Sequence, residues 1–306
     1  MTDFTVFDVD YPPHARQRVI VNTDAKNECD DQFAIVQAIL TPSFELHGII
    51  PAHFGDKKSK TSLKDSHDET MLVLKLMNLE GKVRVEDGAT HAMPDETTPV
   101  DSPGAQLIIE EAMKDDDRPL FIAFYGPVTD IASALLLKPE IENRNIIVIW
   151  IGGGHWPAGG REYNLSNDIP AANVLMKSKL TVWQVPRTAY RTMSVTYAEM
   201  IEKVSPCGEI GKYLVEQVIE YNMRTDPHME YRSLGDSPCI GLILDPEAGV
   251  WDYRPAPLFD EQMKYVHTGK YRPIRVYDSV NTRFVHEDLW AKLAQFHRRG
   301  SRDHRS

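Results

Sequence analysis

The stretch that decides the fold runs from Arg18 to Leu40 and reads RVIVNTDAKNECDDQFAIVQAIL. It begins with a short β-branched, apolar run, Arg18–Val21, which is typical of a buried strand. A polar loop follows, and then apolar positions recur at the i, i+3, i+4, i+7 spacing of a helix face: Phe33, Val36, Gln37 and Leu40. A strand that passes through a short loop into a helix is the repeating unit of α/β folds.

Runs of the same two kinds alternate along the rest of the chain. Further strands are predicted over residues 45–50, 120–124, 145–151 and 180–183. Further helices are predicted over 63–77, 103–113, 129–137 and 169–178. Because continuous apolar strands separated by helices pack in covered parallel sheets, we expect an α/β fold, a mostly parallel sheet with helices on both faces.

The domain organisation is expected to be simple. A single α/β domain is predicted over residues 18–297, with an N-terminal arm at 1–17 and a flexible basic tail at 298–306. The segment Tyr221–Ser237 interrupts the alternation with polar and aromatic residues. A loop over a functional site is expected there, since such sites concentrate on loops held by a rigid scaffold.

The composition argues against several classes of protein. The 306 residues include 34 Lys and Arg against 45 Asp and Glu, a formal net charge of −11, which is unlike the basic surface of a nucleic-acid binder. No window of about 18 residues is apolar enough to span a membrane. The first residues do not resemble a secretory leader, and Cys29, Cys207 and Cys239 form no C-x-x-C pair. We expect a cytoplasmic protein with neither nucleic acid nor membrane as a partner.

Three carboxylates converge in the loop of the opening stretch. Asp24 follows the carboxyl end of the first strand, and Asp30 and Asp31 begin the next helix. Asp30 as a helix cap and Asp31 as a complement to the helix dipole would explain two of them. Grouped carboxylates repel one another unless a cation neutralises them, and hard oxygen ligands favour Ca²⁺ or Mg²⁺. The residues alone leave both interpretations open.

The sequence resembles the nucleoside hydrolases in four segments that follow the family's order. Asn22-Thr-Asp24 with Asp30-Asp31 resembles the family's D-x-D-P-G-x-D-D-A opening, and Phe124–Ala132 resembles its G-P-L-T-N-I-A segment. The third segment joins Ile151–Gly154, Glu162-Tyr-Asn164 and Asp168–Ala172, and the fourth is Gly235–Cys239. A weaker similarity at His53–Asp56 makes Asp56 a candidate substrate contact.

The resemblance implies a calcium-dependent hydrolase that cleaves the N-glycosidic bond of a ribonucleoside or related riboside into ribose and free base. The ion would be held by the carboxylates of Asp24, Asp31 and Asp236 and the carbonyl of Tyr125, with Asp24 also acting as the general base. Asp30 would hydrogen-bond the ribose. Glu162 and Asn164 would hold the sugar hydroxyls. The family also implies a homodimer or homotetramer.

The chain departs from the family pattern where the leaving base would be protonated. The usual His before the late Asp is Gly235 here, and the first Asp of the opening motif is Asn22. Four residues in predicted loops are candidates to replace this histidine as the acid: His53, His155, His228 and Tyr231. His228 and Tyr231 are ranked first. Trp156 is a candidate to stack on the base, with core packing as the alternative.

Three other functions are compatible with parts of the sequence. Gly152-Gly-Gly154 after a strand is similar to a dinucleotide-binding fingerprint, but Pro157 occupies the third glycine position. A non-catalytic or weakly catalytic protein of the same fold that binds ribose or a nucleoside is the principal alternative, because the leaving-group acid is missing. A hydrolase of another riboside, with a modified or larger aglycone, is the third possibility.

Overall fold

A seven-stranded sheet in the order β2-β1-β3-β4-β5-β11-β8 is the centre of the computed structural model, which describes Val9 and residues 11–303. All neighbours are parallel except β8, which pairs antiparallel with β11 at the sheet edge. The sheet strands are β1 Gln17–Thr23, β2 Phe44–Pro51, β3 Leu120–Phe124, β4 Ile146–Ile151, β5 Thr181–Val185, β8 Gly249–Pro255 and β11 Pro273–Val280. Two small ribbons pair β6 Ser194–Thr196 with β7 Tyr231–Ser233 and β9 Leu258–Phe259 with β10 Tyr265–Val266.

Helices cover both faces of the sheet. Within the described residues they are α1 Asp31–Ile39, α2 Ser62–Leu76, α3 Pro103–Ala112, α4 Thr129–Leu137, α5 Tyr163–Asn167, α6 Ile169–Lys177, α7 Arg187–Tyr190, α8 Tyr197–Lys203, α9 Gly208–Thr225, α10 Ser237–Leu244 and α11 Thr282–Asp303. Short 3-10 turns occupy Pro13–Ala15 and Pro139–Asn143. The predicted α/β class, with a mostly parallel sheet covered on both sides, is confirmed.

Alternate residues of β1 enter two different apolar cores, as the period of two in a strand requires. Val19 and Val21 pack in the core that contains Phe33 and Trp290, whereas Ile20 packs in the core that contains Ile122. An apolar cluster thus covers each face of the sheet, which explains why the central strands have continuous apolar sequences rather than alternating ones.

The register of the sheet brings the ends of three strands together. Asn22 of β1 is paired with Phe124 of β3, and Phe124 is paired with Trp150 of β4. The loops that follow these strands therefore start at the same edge, where open parallel sheets bind their ligands. This arrangement places Asp24 and Tyr125 beside each other.

The end of the chain differs from the prediction. Helix α11 continues through Asp303, so residues 298–303 are helical rather than a flexible tail, and 304–306 lie outside the described residues. Most of the predicted arm lies outside them too, and β1 begins at Gln17. Among the described residues, no helix combines the length and apolar character needed to cross a bilayer.

Candidate active site

The β1–α1 loop presents its carboxylates at the edge of the sheet. The loop turns tightly, with the Asn27 amide donating to the Asp24 carbonyl at 2.8 Å. The Thr23 hydroxyl donates to Asp31 Oδ1 at 2.6 Å. Asp30 occupies the N-cap position of α1, but its carboxylate makes no capping bond and instead accepts the Gly235 N–H at 2.8 Å. Helix capping therefore does not account for Asp30.

Asp236 joins this group from the start of α10, more than 200 residues further along the chain. One carboxylate oxygen from each of Asp30, Asp31 and Asp236 lies within 4.8 Å of the other two, so these three are close enough to share one metal ion. Asp24 lines the same cleft outside that triplet, with Oδ2 accepting a bond from Asn27 Nδ2 at 3.2 Å. The ligand set implied by the resemblance has Asp24 where the triplet has Asp30.

Burial and mutual repulsion make ionisation of these carboxyls unfavourable. Burial, followed by the charge of Glu28, raises the pKa of Asp30 to about 6. Burial, followed by the charge of Asp30, raises the pKa of Asp31 to about 8. The pKa values of Asp24 and Asp236 are raised well above their usual range for the same two reasons. A bound cation would reverse this effect, because it favours the charged form of every carboxylate around it.

The net charge of the residues that line the cleft also suits a bound cation. Six carboxylates and four guanidinium groups face a volume of about 550 Å³. The formal excess is two negative charges, which one divalent ion balances. The donor atoms are carboxylate and carbonyl oxygens without cysteine or histidine, a set that suits Ca²⁺ or Mg²⁺ better than zinc. The residues present therefore fit a hard divalent metal.

Tyr125 and Asn164 connect two strand ends at the bottom of the cleft. Asn164 Nδ2 donates to the Tyr125 carbonyl at 2.6 Å and to the Ile151 carbonyl at 2.9 Å. The Tyr125 hydroxyl is buried without a hydrogen-bond partner among the described residues. A carbonyl oxygen has two lone pairs, so that of Tyr125 keeps one for a ligand in the cleft.

Glu162 organises the opposite part of the site. Its carboxylate caps α5 by accepting the N–H groups of Asn164 at 3.1 Å and Leu165 at 2.9 Å. It also accepts the Gly153 N–H and the Tyr190 hydroxyl, each at 3.0 Å. Four donors on one buried carboxylate fix the start of α5, and with it the position of Asn164.

Several residues of the cleft were not predicted from the sequence. Arg232 pairs with Glu28 and lies over the ring of Tyr221, 4.7 Å from its centroid. Its charge also lowers the pKa of Asp30 against the effect of burial. The remaining unpredicted lining residues include Arg161, Tyr163, Arg187, Tyr190, Arg191 and Met229. Surface arginines and tyrosines carry no local pattern that distinguishes them from solvated residues, so the sequence offered no signal for them.

The predicted site residues divide into two groups. Those that line the cleft are Asp24, Asp30, Asp31, Tyr125, Glu162, Asn164, Tyr231 and Asp236. Those that lie outside its lining, against expectation, are His53, Asp56, His155, Trp156 and His228.

The residues of the second group are either exposed to solvent or packed elsewhere in the fold. Asp56 is 75% exposed and pairs with Lys60. Trp156 packs edge-on against Tyr265 and donates to Gln184 Oε1 at 3.0 Å, so it belongs to a packing cluster. His155 and His228 are exposed, the first in a bridge to Gly159 and the second in the turn after α9.

His53 is buried away from the cleft. Its Nε2 lies 2.9 Å from the Thr129 hydroxyl, and burial lowers its pKa to about 4. A neutral imidazole held in this way is a poor proton donor for a leaving base near neutral pH.

Comparison with known proteins decides the family. The sequence model of the family described as "inosine-uridine preferring nucleoside hydrolase" matches residues 19–287. The chain belongs to the nucleoside hydrolase family. It is thus an N-ribosyl hydrolase of ribonucleosides, as the four resembling segments implied, in a family of metal-dependent enzymes.

Individual nucleoside hydrolases resemble this chain at low identity. The pyrimidine-specific ribonucleoside hydrolase RihA of Salmonella schwarzengrund is 21% identical over 252 residues, which cover 75% of this chain and 80% of the relative. The structure of the purine-preferring ribonucleoside hydrolase from Gardnerella vaginalis matches with a TM-score of 0.75 at 20% identity, over 92% of this chain and 99% of that one. An inosine-guanosine nucleoside hydrolase matches with a TM-score of 0.73 at 15% identity, over 91% and 98%. These structures share the fold.

The departures from the family motif have local explanations. Asn22 Nδ2 donates to Asp130 Oδ2 at 2.8 Å, and a second Asp at 22 would place two buried carboxylates in contact. A Cβ at Gly235 would lie 2.9 Å from the ring of Tyr190 and 3.3 Å from Asp30 Oδ2. The histidine that usually precedes the late Asp therefore does not fit here without movement of Tyr190.

Proposed function

We propose that this nucleoside hydrolase is calcium-dependent and hydrolyses a riboside to ribose and a free base within the cleft described above. The observation that carries the proposal is the group of four buried carboxylates, Asp24, Asp30, Asp31 and Asp236, at the carboxyl end of the sheet. An oxocarbenium-like sugar develops positive charge, which carboxylates at this position would stabilise.

Asp31 and Asp236 are the proposed central metal ligands, since they belong both to the triplet in the structure and to the set implied by the resemblance. Asp24 and the Tyr125 carbonyl complete the proposed set. When bound, the ion lowers the pKa of a coordinated water and orients the sugar diol.

Asp24 is the proposed general base because the resemblance assigns it this role and its carboxylate lies in the cleft outside the triplet of Asp30, Asp31 and Asp236. Among the described residues it accepts one side-chain hydrogen bond, from Asn27, whereas Asp30 is held by the Gly235 N–H and the nearby Arg232. Asp30 is accordingly proposed to accept a ribose hydroxyl. Asn164 is proposed as a sugar contact, and Glu162 acts at least by fixing Asn164 in place.

The leaving base has a single candidate acid from the predicted set. Tyr231 lines the cleft and is 43% exposed, whereas the histidines considered with it lie elsewhere. We therefore propose Tyr231 for this role. We also retain two further proposals. A homodimer or homotetramer rests on the family, and light scattering would test it. A cytoplasmic location rests on the sequence composition, and fractionation would test it.

The central experiment measures release of reducing sugar from a panel of purine and pyrimidine ribosides, with and without Ca²⁺. Asp24→Asn should reduce kcat by ~10²-fold or more, the usual range for a general base. The matched control is Asp56→Asn, the same change at an exposed carboxylate outside the cleft. Calcium-dependent binding of ribosides without any sugar release would favour the non-catalytic binding protein and contradict the proposal.

A further inference from the structure

Three arginines line one part of the cleft. Arg161 lies in the loop between β4 and α5, directly before Glu162, while Arg187 begins α7 and Arg191 follows that helix. All three side chains are exposed, and Arg187 Nη1 donates to the Arg161 carbonyl at 3.2 Å, which joins the two segments.

None of the three forms an ion pair within the part of the chain that the structure describes. Arg232, which lines the same cleft, differs from these three because it forms an ion pair with Glu28. The acid closest to them in sequence is Glu162, whose carboxylate is already occupied by backbone N–H groups and the Tyr190 hydroxyl. Apart from the Arg187 Nη1 bond to the Arg161 carbonyl, the three guanidinium groups therefore keep their donors for a ligand.

A neutral nucleoside offers these groups no opposite charge. Arginine presents a planar array of donors that matches phosphate and carboxylate oxygens in pairs. An anionic substrate also needs such groups, since the chain carries a formal charge of −11 and the cleft contains six carboxylates. Without local positive charge, this field would repel an anion from the site.

We infer that Arg161, Arg187 and Arg191 form an anion subsite, and that the preferred substrate is a riboside bearing a phosphate or carboxylate group. This inference rests on the proposed function. The arginines belong to the segments that hold Glu162 and Tyr190, whereas the acidic triplet belongs to the β1–α1 loop and α10. Metal and anion are thus received by different segments of the cleft.

The chemistry is ordinary hydrolysis and needs no further reactant. The bond between the anomeric carbon and the base nitrogen breaks, the oxygen of water bonds to that carbon, and the base leaves with the proton. The anionic group is carried through unchanged, either on the ribose product or on the released base.

Three substrates built on the uracil ring distinguish the sources of the anion. Uridine is neutral, uridine 5′-monophosphate carries its charge on the ribose, and orotidine carries a carboxylate on the base. For at least one of the two anions, kcat/KM should exceed that for uridine by ~10-fold or more, a factor in keeping with hydrogen bonds to charged groups. The preference should decrease at high salt, since the arginines are exposed.

Arginine-to-glutamine variants at 161, 187 and 191 test the assignment. Each should lower the ratio of anionic to neutral kcat/KM, and the corresponding lysine variants should restore part of it. Arg144→Gln is the matched control, because Arg144 is an exposed arginine that also donates to a carbonyl but lies outside the cleft lining. Equal kcat/KM for all three substrates, or ratios unaffected by the glutamine variants, would overturn the inference.

Calorimetry separates this inference from the proposed function. If the calcium-loaded protein releases no sugar from any substrate, the hydrolase proposal fails, but binding still tests the subsite. Tighter binding of uridine 5′-monophosphate or orotidine than of uridine, lost in the glutamine variants, would support the subsite. Equal binding of all three would refute it.

Discussion

Raising the pH of the metal-free protein from about 6.5 to about 8 should destabilise it, because the carboxyl of Asp31 loses its proton in this range. Burial, followed by the charge of Asp30, raises the pKa of Asp31 from 3.8 to about 8 in the folded chain. Between these two values Asp31 holds a proton in the folded chain that it has lost in the unfolded chain. Asp24 and Asp236, whose pKa values are raised in the same direction, add to this difference. The free energy of unfolding therefore falls as the pH rises, and the loss is complete above the folded pKa.

The size of the effect follows from the pKa difference. Each pH unit in this window corresponds to ~1.4 kcal/mol per proton, so Asp31 alone contributes a change of ~2 kcal/mol. For a chain of this length, that is a decrease of roughly 4 °C in Tm. Bound Ca²⁺ should remove the dependence, since the cation keeps the carboxylates ionised across the range and adds its own binding energy to stability.

Differential scanning calorimetry of the chelated and calcium-loaded forms at the two pH values measures this directly. Asp31→Asn supplies the first control: its metal-free form should show a smaller pH dependence than the wild type, because only the contributions of Asp24, Asp236 and the other titrating groups remain. Asp56→Asn, an exposed carboxylate, should retain the wild-type slope. The same Tm at both pH values in protein shown by elemental analysis to lack metal would refute the reasoning.

Two further predictions concern Glu162 and Tyr231. Glu162→Gln replaces an acceptor oxygen by a donor and leaves a buried N–H group unpaired, so thermal melting should show a loss of ~1–3 kcal/mol of stability. Tyr190→Phe removes one hydroxyl bond to the same carboxylate and should cost ~1 kcal/mol. Equal Tm values for the two variants would contradict this account. Tyr231→Phe should lower kcat/KM for nucleosides by ~10²-fold but hardly change it for p-nitrophenyl riboside, whose leaving group needs no proton. His228→Ala should leave the ratio of the two kcat/KM values unchanged. If the wild type cleaves inosine as fast as p-nitrophenyl riboside, and Tyr231→Phe does not change the rate, no acid acts at this position.

The central fold was predictable because its signals are local. Each of the five predicted strands has a counterpart, with bounds within two residues, in β1 to β5, since buried parallel strands have continuous apolar sequences. Strands β8 and β11 were missed for a physical reason. Exposed positions such as Val250, 64% exposed, lie on the edge strand β8, and its partner follows only after the β9–β10 ribbon. Long-range pairing of this kind leaves no local pattern.

The candidate site was likewise predictable only where its signals are local in the sequence. Carboxylates at a strand end can be found by sequence, because the position of Asp24 after β1 already places it at the ligand-binding edge. The partners of Asp30 could not be found, since Gly235 and Arg232 lie about 200 residues away and meet it only in the folded chain. For the same reason the sequence could not separate His228 from Tyr231 as candidate leaving-group acids, although of these two only Tyr231 lines the cleft.

Two buried carboxylates outside the cluster show how a structural carboxylate of this chain differs from those in the cluster. Asp130 accepts bonds from Asn22, Ser102 and the Ala89 N–H, all between 2.7 and 2.8 Å. Asp168 likewise accepts three, from two backbone N–H groups and the Thr129 hydroxyl.

This chain therefore satisfies a buried structural carboxylate with three donors. Asp24 accepts one bond of 3.2 Å among the described residues, and Asp31 has the Thr23 hydroxyl and the neighbouring carboxyl of Asp236. An ionised buried carboxylate needs compensation that these donors do not supply. The carboxyls of the cluster are therefore expected to keep protons in the metal-free protein and to lose them when the proposed divalent ion compensates several of them at once.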